Sequence, residues 1–565
     1  MQNIVQSILD RGATSPLKPA VDFYGDTWTY QRLAQAIQAW AARFSAAGLG
    51  SGDIVLVFLP QTPEAIAVYF GLMSCAAVPS FMPLPSAKQE PAHYWASHRK
   101  LLEVIRPAAL VTMREHRPAM LDAGFETVLP HVRVHVIEQD WGCVSRQAGI
   151  VEVTDGQLAL LQHSSGTTSL KKGVALSHRA ITQQVAAYAK ALNATSDDVV
   201  ASWLPMYHDM GLIACTVTPL LLGQKIVLLD PFRWVAEPRS LLDAIESHRC
   251  TLTWLPNFAF ELLVRTTRSD VDSLDLSSMR AFIDCSEPCK AASFDRFLKK
   301  FSPAGVTASM LHVSYAMAET VFAVTQTPLG SAAPRFIVDA DVLSGQKLAA
   351  PAGSSSPAVE LLSAGAPLQG ISVFISDDAG AVLPTDQVGE IELVGDFLFE
   401  GYFNRPELTS ARFRNGRYRT GDIGFVHEGE VYVLGRTDDL IIVHGRNYLA
   451  HEIEAVTNGI PGLKAGRNVA ISVFNDAMGS LDVVVIAETG DARLPEGQEQ
   501  LGLKRAVKRS VAAQMGLELR DVLIVPSGWL VKTTSGKISR SLNRERYLQE
   551  LARRHPMNQG VHIHE

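Results

Sequence analysis

Apolar residues at Leu33, Ile37, Trp40, Ala41 and Phe44 fall at helical spacing and Gly48 follows them, which predicts a helix over 29–47. The run 54–59 is continuously apolar and reads as a strand buried on both faces. Thr62-Pro63-Glu64 then supplies a helix start, with proline in the first turn, for a helix reaching about Ala77. The alternation continues with strands at 108–111, 158–161, 174–176, 199–203, 225–229 and 251–255, and helices at 180–192 and 239–247. This is the pattern of an α/β protein. From Ser331 the texture changes. Residues 348–356 (LAAPAGSSS) are small and rich in Pro, Gly and Ser, and read as a flexible insert. Short β-like runs follow at 371–375, 389–394 and 429–434, separated by turn residues. Beyond a polar break at 435–439, strands at 468–473 and 482–486 and a basic helix at 503–514 predict a small α+β domain of about 125 residues.

A chain of 565 residues exceeds one ordinary core, so at least two domains are expected. Hydrophobic residues make up 47% and charged residues 19%, the balance of a globular enzyme. The net charge of −7 leaves no electrostatic footprint for nucleic acid. No apolar run reaches the roughly 20 residues that span a bilayer, and the first residues lack the charged start and apolar core of a signal peptide. Six cysteines in so long a chain do not form a disulfide framework, and Cys285 and Cys289 have no second ligand pair, so buried thiols in a reducing cytoplasm are expected. Lys504, Arg505, Lys508 and Arg509 share one face of the basic helix and read as a solvated surface.

Candidate chemistry concentrates in the stretch 158–178. Between its two apolar runs lies a loop of small and hydroxyl residues, 164–169, followed by Lys171 and Lys172. Small residues let backbone N–H groups approach phosphate oxygens, hydroxyls donate and lysine offsets charge, so the loop suits a phosphate chain. The alternative for the stretch taken alone is a solvated hairpin tip, and it lacks the Gly-Lys-Ser/Thr of a P-loop. Two further loops are unusual: IDCSEP at 283–288, and VSYAMAET at 313–320 with an aromatic and a carboxylate four residues apart.

The motifs together are far more specific. SSGTTSLKKG (164–173), SYAMAET (314–320), Tyr418-Arg419-Thr420-Gly421-Asp422, Gly435-Arg436-Thr437-Asp438-Asp439 and Thr534-Ser535-Gly536-Lys537-Ile538 occur in the order found in the adenylate-forming superfamily, and the chain resembles that superfamily over nearly its whole length. WLPMYHDMGLI (203–213), LPNFAFELL (255–263), the CSEP turn and the stretch 336–370 are most similar to fatty acyl-AMP ligases. Departures are Ser169 and Lys171 where the family has Gly and Pro, Ala316-Met317 for Gly-Leu, and the region of Ala450 for a Pro.

The resemblance implies a large N-terminal adenylation domain, 1–436, of α/β subdomains plus a β-rich subdomain, with an insertion at about 336–370. It also implies a small mobile α+β domain, 437–565, hinged at Asp438 and carrying the catalytic Lys537. In the implied site, Ser164, Ser165, Gly166, Thr167 and Thr168 cradle pyrophosphate with Lys172 nearby. Glu319 holds Mg2+, Ser314, Tyr315 and Ala316 pack on adenine, and Ser286-Glu287-Pro288 line its other side. Asp422 takes the ribose hydroxyls, Arg436 reaches ribose or phosphate, and Lys537 bridges the carboxylate and the α-phosphate. Lys537, Glu319, Thr167 and His208 form the implied catalytic set, although His208 equally suits a structural histidine. Met210, Trp254, Phe258 and Phe260 are candidates for an apolar acyl pocket, and equally for plain core. The implied reaction takes ATP and a fatty acid to an acyl-adenylate, passed on to the phosphopantetheine arm of an acyl carrier protein. An acyl- or aryl-CoA ligase and a non-catalytic nucleotide-binding homologue remain the alternatives. The substrate carboxylate is already ionised near neutral pH, so the first step needs positioning and charge stabilisation, not a general base.

Overall fold

The computed structural model describes the chain outside residues 1–2, 85–90, 123, 126–131, 140–149, 164–171, 268–270, 444–445, 476–479, 491–494, 533–537 and 555–565. The phosphate-loop residues Ser164 to Thr168, with Ser169 and Lys171, and the lysine Lys537 therefore lie outside the described residues.

The alternating apolar runs assemble into two sheets flanked by helices. A nine-stranded sheet runs in the order Ala366–Pro367, Ala323–Gln326, Leu311–Ala316, Ala281–Asp284, Leu252–Leu255, Val199–Ser202, Lys225–Leu228, Pro19–Phe23, Asp26–Thr29. Its central strands are parallel and its two margins antiparallel. A four-stranded parallel sheet is built on Ile54–Phe58, between Val78–Phe81 and Ala109–Thr112. The helix Tyr30–Ala46 starts where Thr29 accepts a hydrogen bond from the Arg32 N–H, a side-chain N-cap. It buries Leu33, Ile37, Trp40 and Phe44 against the helix Pro63–Ser74, which is capped by Thr62. Both lie in one large hydrophobic core extending from Ile4 to Val431.

Two β-rich pieces complete the first 436 residues. Leu158–His163 and Gly173–Ser177 form a hairpin, and Gly401–Tyr402 adds to its second strand. Ile371–Ser376, Gly389–Gly395 and Arg417–His427 form the body of a second sheet, with Glu430–Arg436 paired to the last. Arg417–His427 is an eleven-residue strand, where the sequence signalled only a motif. Its Arg and Asp residues and Gly421, at φ +76°, hide the alternation that marks a strand.

The insertion is tied down rather than loose. Arg335–Asp339 and Ala358–Leu362 pair as an antiparallel hairpin. Val338 bridges Pro351, Leu348 bridges Gln387, and Ala349 is buried, so part of the predicted flexible insert is stitched to the β-rich sheet. The Phe336 ring stacks on His427 at 4.0 Å, and the hairpin packs on Phe425, Tyr432 and Leu434 with Leu449 beside them.

From residue 441 the chain makes its own cores. Ala470, Val483, Val485, Val507, Val511 and Val522 fill one face of the sheet Leu463–Asn475, Ser480–Thr489, Asp521–Val525, and Ile471, Val484, Ile486, Leu523 and Tyr547 fill the other. The basic helix spans Gln498–Met515, and Lys508 Nζ donates to the Arg520 carbonyl. Among the described residues no helix is long and apolar enough to cross a membrane. Cys75, Cys215, Cys250, Cys285 and Cys289 are free thiols, all buried except the half-buried Cys289.

Candidate active site

Three pieces of sheet meet at one cluster of polar side chains. The nine-stranded sheet contributes Tyr315, on the strand Leu311–Ala316, and Glu319 in the turn Ala318–Thr320. The hairpin sheet contributes Tyr402 and Lys172, and the second sheet contributes Tyr418, Asp422 and Arg436.

Asp422 is buried, and two donors already hold it. The Tyr315 hydroxyl donates to its Oδ2 at 2.5 Å and Arg436 Nε to its Oδ1 at 3.0 Å. Burial pushes the Asp422 pKa above the ordinary carboxylate value, against the pull of Arg436 and Tyr315. Asp422's N–H donates to Thr420 Oγ1, whose own hydroxyl donates to the Ile391 carbonyl, so the carboxylate stands on a fixed backbone. Burial also raises the Tyr315 pKa well above its usual value, and the adjacent Asp422 carboxylate raises it further, keeping the hydroxyl a donor.

Glu319 is oriented by a residue that carried no sequence signal. The Tyr402 hydroxyl donates to Glu319 Oε1 at 2.8 Å, the Tyr418 hydroxyl lies 3.3 Å from that of Tyr402, and Lys172 Nζ sits over the Tyr402 ring, 5.1 Å from its centroid. The other Glu319 oxygen accepts no hydrogen bond among the described residues. The turn carrying Glu319 ends at Val321, with φ +66°, a conformation that a β-branched residue adopts only under constraint. Hydrogen bonds from the Met317 N–H to the Phe322 carbonyl and from the Phe399 N–H to the Glu319 carbonyl supply that constraint. Burial, then the Arg412 charge, lowers the Lys172 pKa from the usual lysine value, and Glu319 opposes this.

The CSEP turn abuts the acyl-pocket candidates. Ser286 has φ +71° and its hydroxyl lies 3.9 Å from Met210 Sδ, while the Phe258 N–H donates to Glu287 Oε2 at 3.1 Å. Pro288 is exposed. The structure thus brings Met210, Ser286, Glu287 and Phe258 together. Phe258 is 44% exposed, edge-on to Trp203 and Trp234, which stack on each other at 3.6 Å. Trp254 is fully buried and donates from Nε1 to the Tyr188 hydroxyl, and Phe260 packs on Phe294 and Phe297 of the helix Ala291–Phe301. Both occupy core positions.

Met210 opens a π-helix, Met210–Val217, a geometry frequent at functional sites. Gly211 is required there, because a Cβ would stand 2.3 Å from the Pro205 carbonyl oxygen. His208 is half-buried in the preceding turn, with its ring 5.0 Å from that of Tyr207. Gln162 Nε2 donates to the Tyr207 carbonyl, joining that turn to the strand that leads into residues 164–171. Ser314 is buried, its hydroxyl donating to the Thr325 carbonyl, and Ala316 is half-buried beside Tyr315. Asp284, just before the CSEP turn, is fully buried with neither carboxylate oxygen hydrogen-bonded among the described residues. Burial, then the nearby Glu287 charge, pushes its pKa well above the ordinary value. Asp438 is exposed.

A parallel-sheet body whose Tyr315 meets the buried Asp422 and its partner Arg436 on a β-rich sheet, and a last segment with separate cores, together make the architecture of an adenylate-forming enzyme. Residues 9–403 match the model of the AMP-binding enzyme family, and the chain belongs to that family. It is 33% identical to a putative fatty-acid–CoA ligase, fadD21, of Mycobacterium leprae over 423 residues, 71% of this chain and 72% of the relative. It is 29% identical to the long-chain-fatty-acid–AMP ligase FadD26 of Mycobacterium marinum, over 88% of this chain and 87% of that one. Among solved structures, one from a study of fatty acyl-adenylate ligases of E. coli and L. pneumophila superposes with a TM-score of 0.87 at 25% identity, covering 98% of both chains.

Proposed function

We propose that the protein activates a fatty or related carboxylic acid with ATP, releasing pyrophosphate, and passes the acyl group to the phosphopantetheine thiol of an acyl carrier protein or carrier domain. The observation that carries this is the convergence of Asp422, Tyr315, Arg436, Glu319 and Tyr402 on one cluster in a chain of the AMP-binding family. A carboxylate oxygen of the acid attacks the α-phosphorus. The bond from that phosphorus to the bridging oxygen breaks, and pyrophosphate leaves with the electron pair. In the second step the carrier's thiol gives its proton to solvent and its sulfur attacks the acyl carbonyl; the bond from that carbon to the phosphate oxygen breaks, a thioester forms and AMP leaves with the electron pair.

Each residue has a defined task. Asp422 accepts from the ribose hydroxyls, and Arg436 balances its charge. Tyr315, Ser314, Ala316 and the Ser286-Glu287-Pro288 turn bound the adenine. Ser164, Ser165, Gly166, Thr167 and Thr168 take the phosphates with Lys172, and Lys537 reaches the α-phosphate. The carboxylate of Glu319 fits Mg2+, which takes one or two carboxylates together with phosphate oxygens and water. When bound, that ion supplies positive charge against the phosphate oxygens. Met210 and Phe258 bound the acyl chain, and His208 stands at its entrance. Residues 437–565 form the moving domain, pivoting at Asp438. The cytoplasm, with its carrier proteins and reduced thiols, is the expected compartment.

Transfer to CoA is a second reading, prompted by the fatty-acid–CoA ligase name of one relative. The packing of the insertion against Tyr432, Leu434 and Leu449 speaks for the first, since it braces the start of the C-terminal segment. The deciding assay supplies ATP, Mg2+ and a panel of carboxylic acids, with and without CoA and holo-carrier protein. Acyl-adenylate and acyl-carrier without acyl-CoA supports the proposal, acyl-CoA at a comparable rate supports the second reading, and no adenylate refutes both.

A further inference from the structure

The chain changes partners within three residues of the proposed pivot. Thr437's hydroxyl donates to the Gly421 carbonyl of the β-rich sheet. Two residues on, Asp439 Oδ1 accepts from Arg540 Nε at 2.8 Å. Arg540 also bonds Glu454, on the helix Ala450–Asn458, and donates from Nη1 to the Ala470 carbonyl at 2.6 Å, on the strand Leu463–Asn475. Glu454 in turn accepts from the Ala470 N–H. One guanidinium therefore ties residue 439 to a helix and to the central sheet of the C-terminal segment, and only Asp438 separates the two allegiances.

Arg540 is also the first residue of the helix Arg540–Arg554, three positions beyond Lys537. The chain on either side of 533–537 is clamped. Lys532 bridges Ile538, the Ser539 N–H donates to the Val531 carbonyl, and Asn543 both accepts from the Val531 N–H and donates to its carbonyl, each at 2.9 Å. The same helix thus carries the clamp around 533–537 and the side chain that grips residue 439.

We infer that Arg540 is a positioning residue: it fastens Asp439 to the C-terminal body, so that rotation about Asp438 moves the frame flanking Lys537 as one unit. A planar guanidinium with a fixed fork of donors suits this three-way tie, whereas lysine offers a point charge. The inference rests on the adenylation reading for its kinetic consequence but not for its mechanical one.

The experiment compares wild type with R540Q, R540K, D439N and R540Q/D439N in two readouts on the full chain. In hydrogen exchange, amides 439–443 should exchange at least tenfold faster in R540Q and D439N, with those of 483–487, on the neighbouring strand, unchanged. In acyl-adenylate formation, kcat should fall at least tenfold in R540Q with the KM for ATP within twofold, because the ribose-binding groups precede the pivot. R540K should fall between wild type and R540Q, and the double variant should be no worse than R540Q alone, the sign of a single shared interaction. D439N leaves the Arg540–Glu454 contact in place and guards against simple unfolding. Unchanged exchange at 439–443 in R540Q, or multiplied kinetic losses in the double variant, would overturn the inference. A wild type that makes no adenylate would refute the adenylation reading, leaving exchange to decide this one.

Discussion

Tyr402→Phe isolates one hydroxyl at the proposed metal site. The ring remains, so the Lys172 ammonium keeps its place over an aromatic face. What disappears is the 2.8 Å hydrogen bond to Glu319 Oε1. A hydrogen bond to a charged group contributes about 1.5–3 kcal/mol, and loss of a group that orients a metal ligand typically costs about 10- to 100-fold in affinity. Tyr418, 3.3 Å from the Tyr402 hydroxyl, cannot substitute, because that hydroxyl is what it faces. The expected outcome is a rise of about 10- to 100-fold in the Mg2+ concentration giving half-maximal rate, with most activity recovered at saturating Mg2+. Pyrophosphate release at saturating ATP and fatty acid, titrated with Mg2+, measures it. A half-saturation point within twofold of wild type would refute the assignment of Glu319 and its orienting tyrosine. The complementary Tyr418→Phe should shift the same curve less, since the Tyr418 hydroxyl meets that of Tyr402 and makes no hydrogen bond to Glu319 among the described residues.

Three other outcomes follow from the same geometry. Asp422→Asn removes the charge that binds the ribose, so kcat/KM for ATP should fall at least about tenfold while Mg2+ half-saturation stays put. Initial-rate kinetics against ATP would show it. Glu392 is fully buried and takes Arg417 at 2.5 Å, Arg414 at 2.6 Å and the Ser376 hydroxyl at 2.9 Å. Burial pushes its pKa up, but these partners outweigh it and hold the carboxyl below its ordinary value. Its stabilisation is therefore present above about pH 4.3, the unfolded value, and is lost as pH falls through the lower folded value. Denaturant unfolding should find Glu392→Ala destabilised by about 3–5 kcal/mol at neutral pH, with Arg417 losing its carboxylate and Arg414 left with the Glu390 carboxylate at 3.9 Å, and a shallower acid limb than wild type. Phe260→Ala should cost about 3–5 kcal/mol of stability, whereas Phe258→Ala, half-exposed beside the CSEP turn, should spare stability and alter acyl-chain selectivity in a competition between acids of different length.

Local patterns translated into elements wherever one face or one cap decided the matter. The helix expected at 29–47 spans Tyr30–Ala46, because the Thr29 cap and the 3.6-residue stripe both lie in the sequence. The basic helix starts at Gln498 rather than 503, since QEQLG carries no apolar stripe to announce its first turn. Tyr402 and Arg540 escaped notice for another reason. Each acts on a residue 83 or 101 positions away, and although Arg540 follows closely on the lysine motif, nothing along the chain names either partner. The aromatic run at 254–260 posed the reverse problem. Trp254, Phe258 and Phe260 look alike in sequence, yet one is core, one is half-exposed at the turn, and one faces the helix Ala291–Phe301.

The order and chemistry of the motifs, the α/β alternation and the candidate groups for a nucleotide were legible in the sequence, because spacing, side-chain type and period are local properties of a chain. Which of those groups face one another was decided by the three sheets that bring Tyr315, Glu319, Tyr402, Asp422 and Arg436 together across more than 100 residues. The stretch 336–370 gave only composition, and its hairpin became a brace because Phe336 found His427, Phe425 and Tyr432 on another sheet. Partnership across distance is set by packing, and packing exists only once the chain has folded.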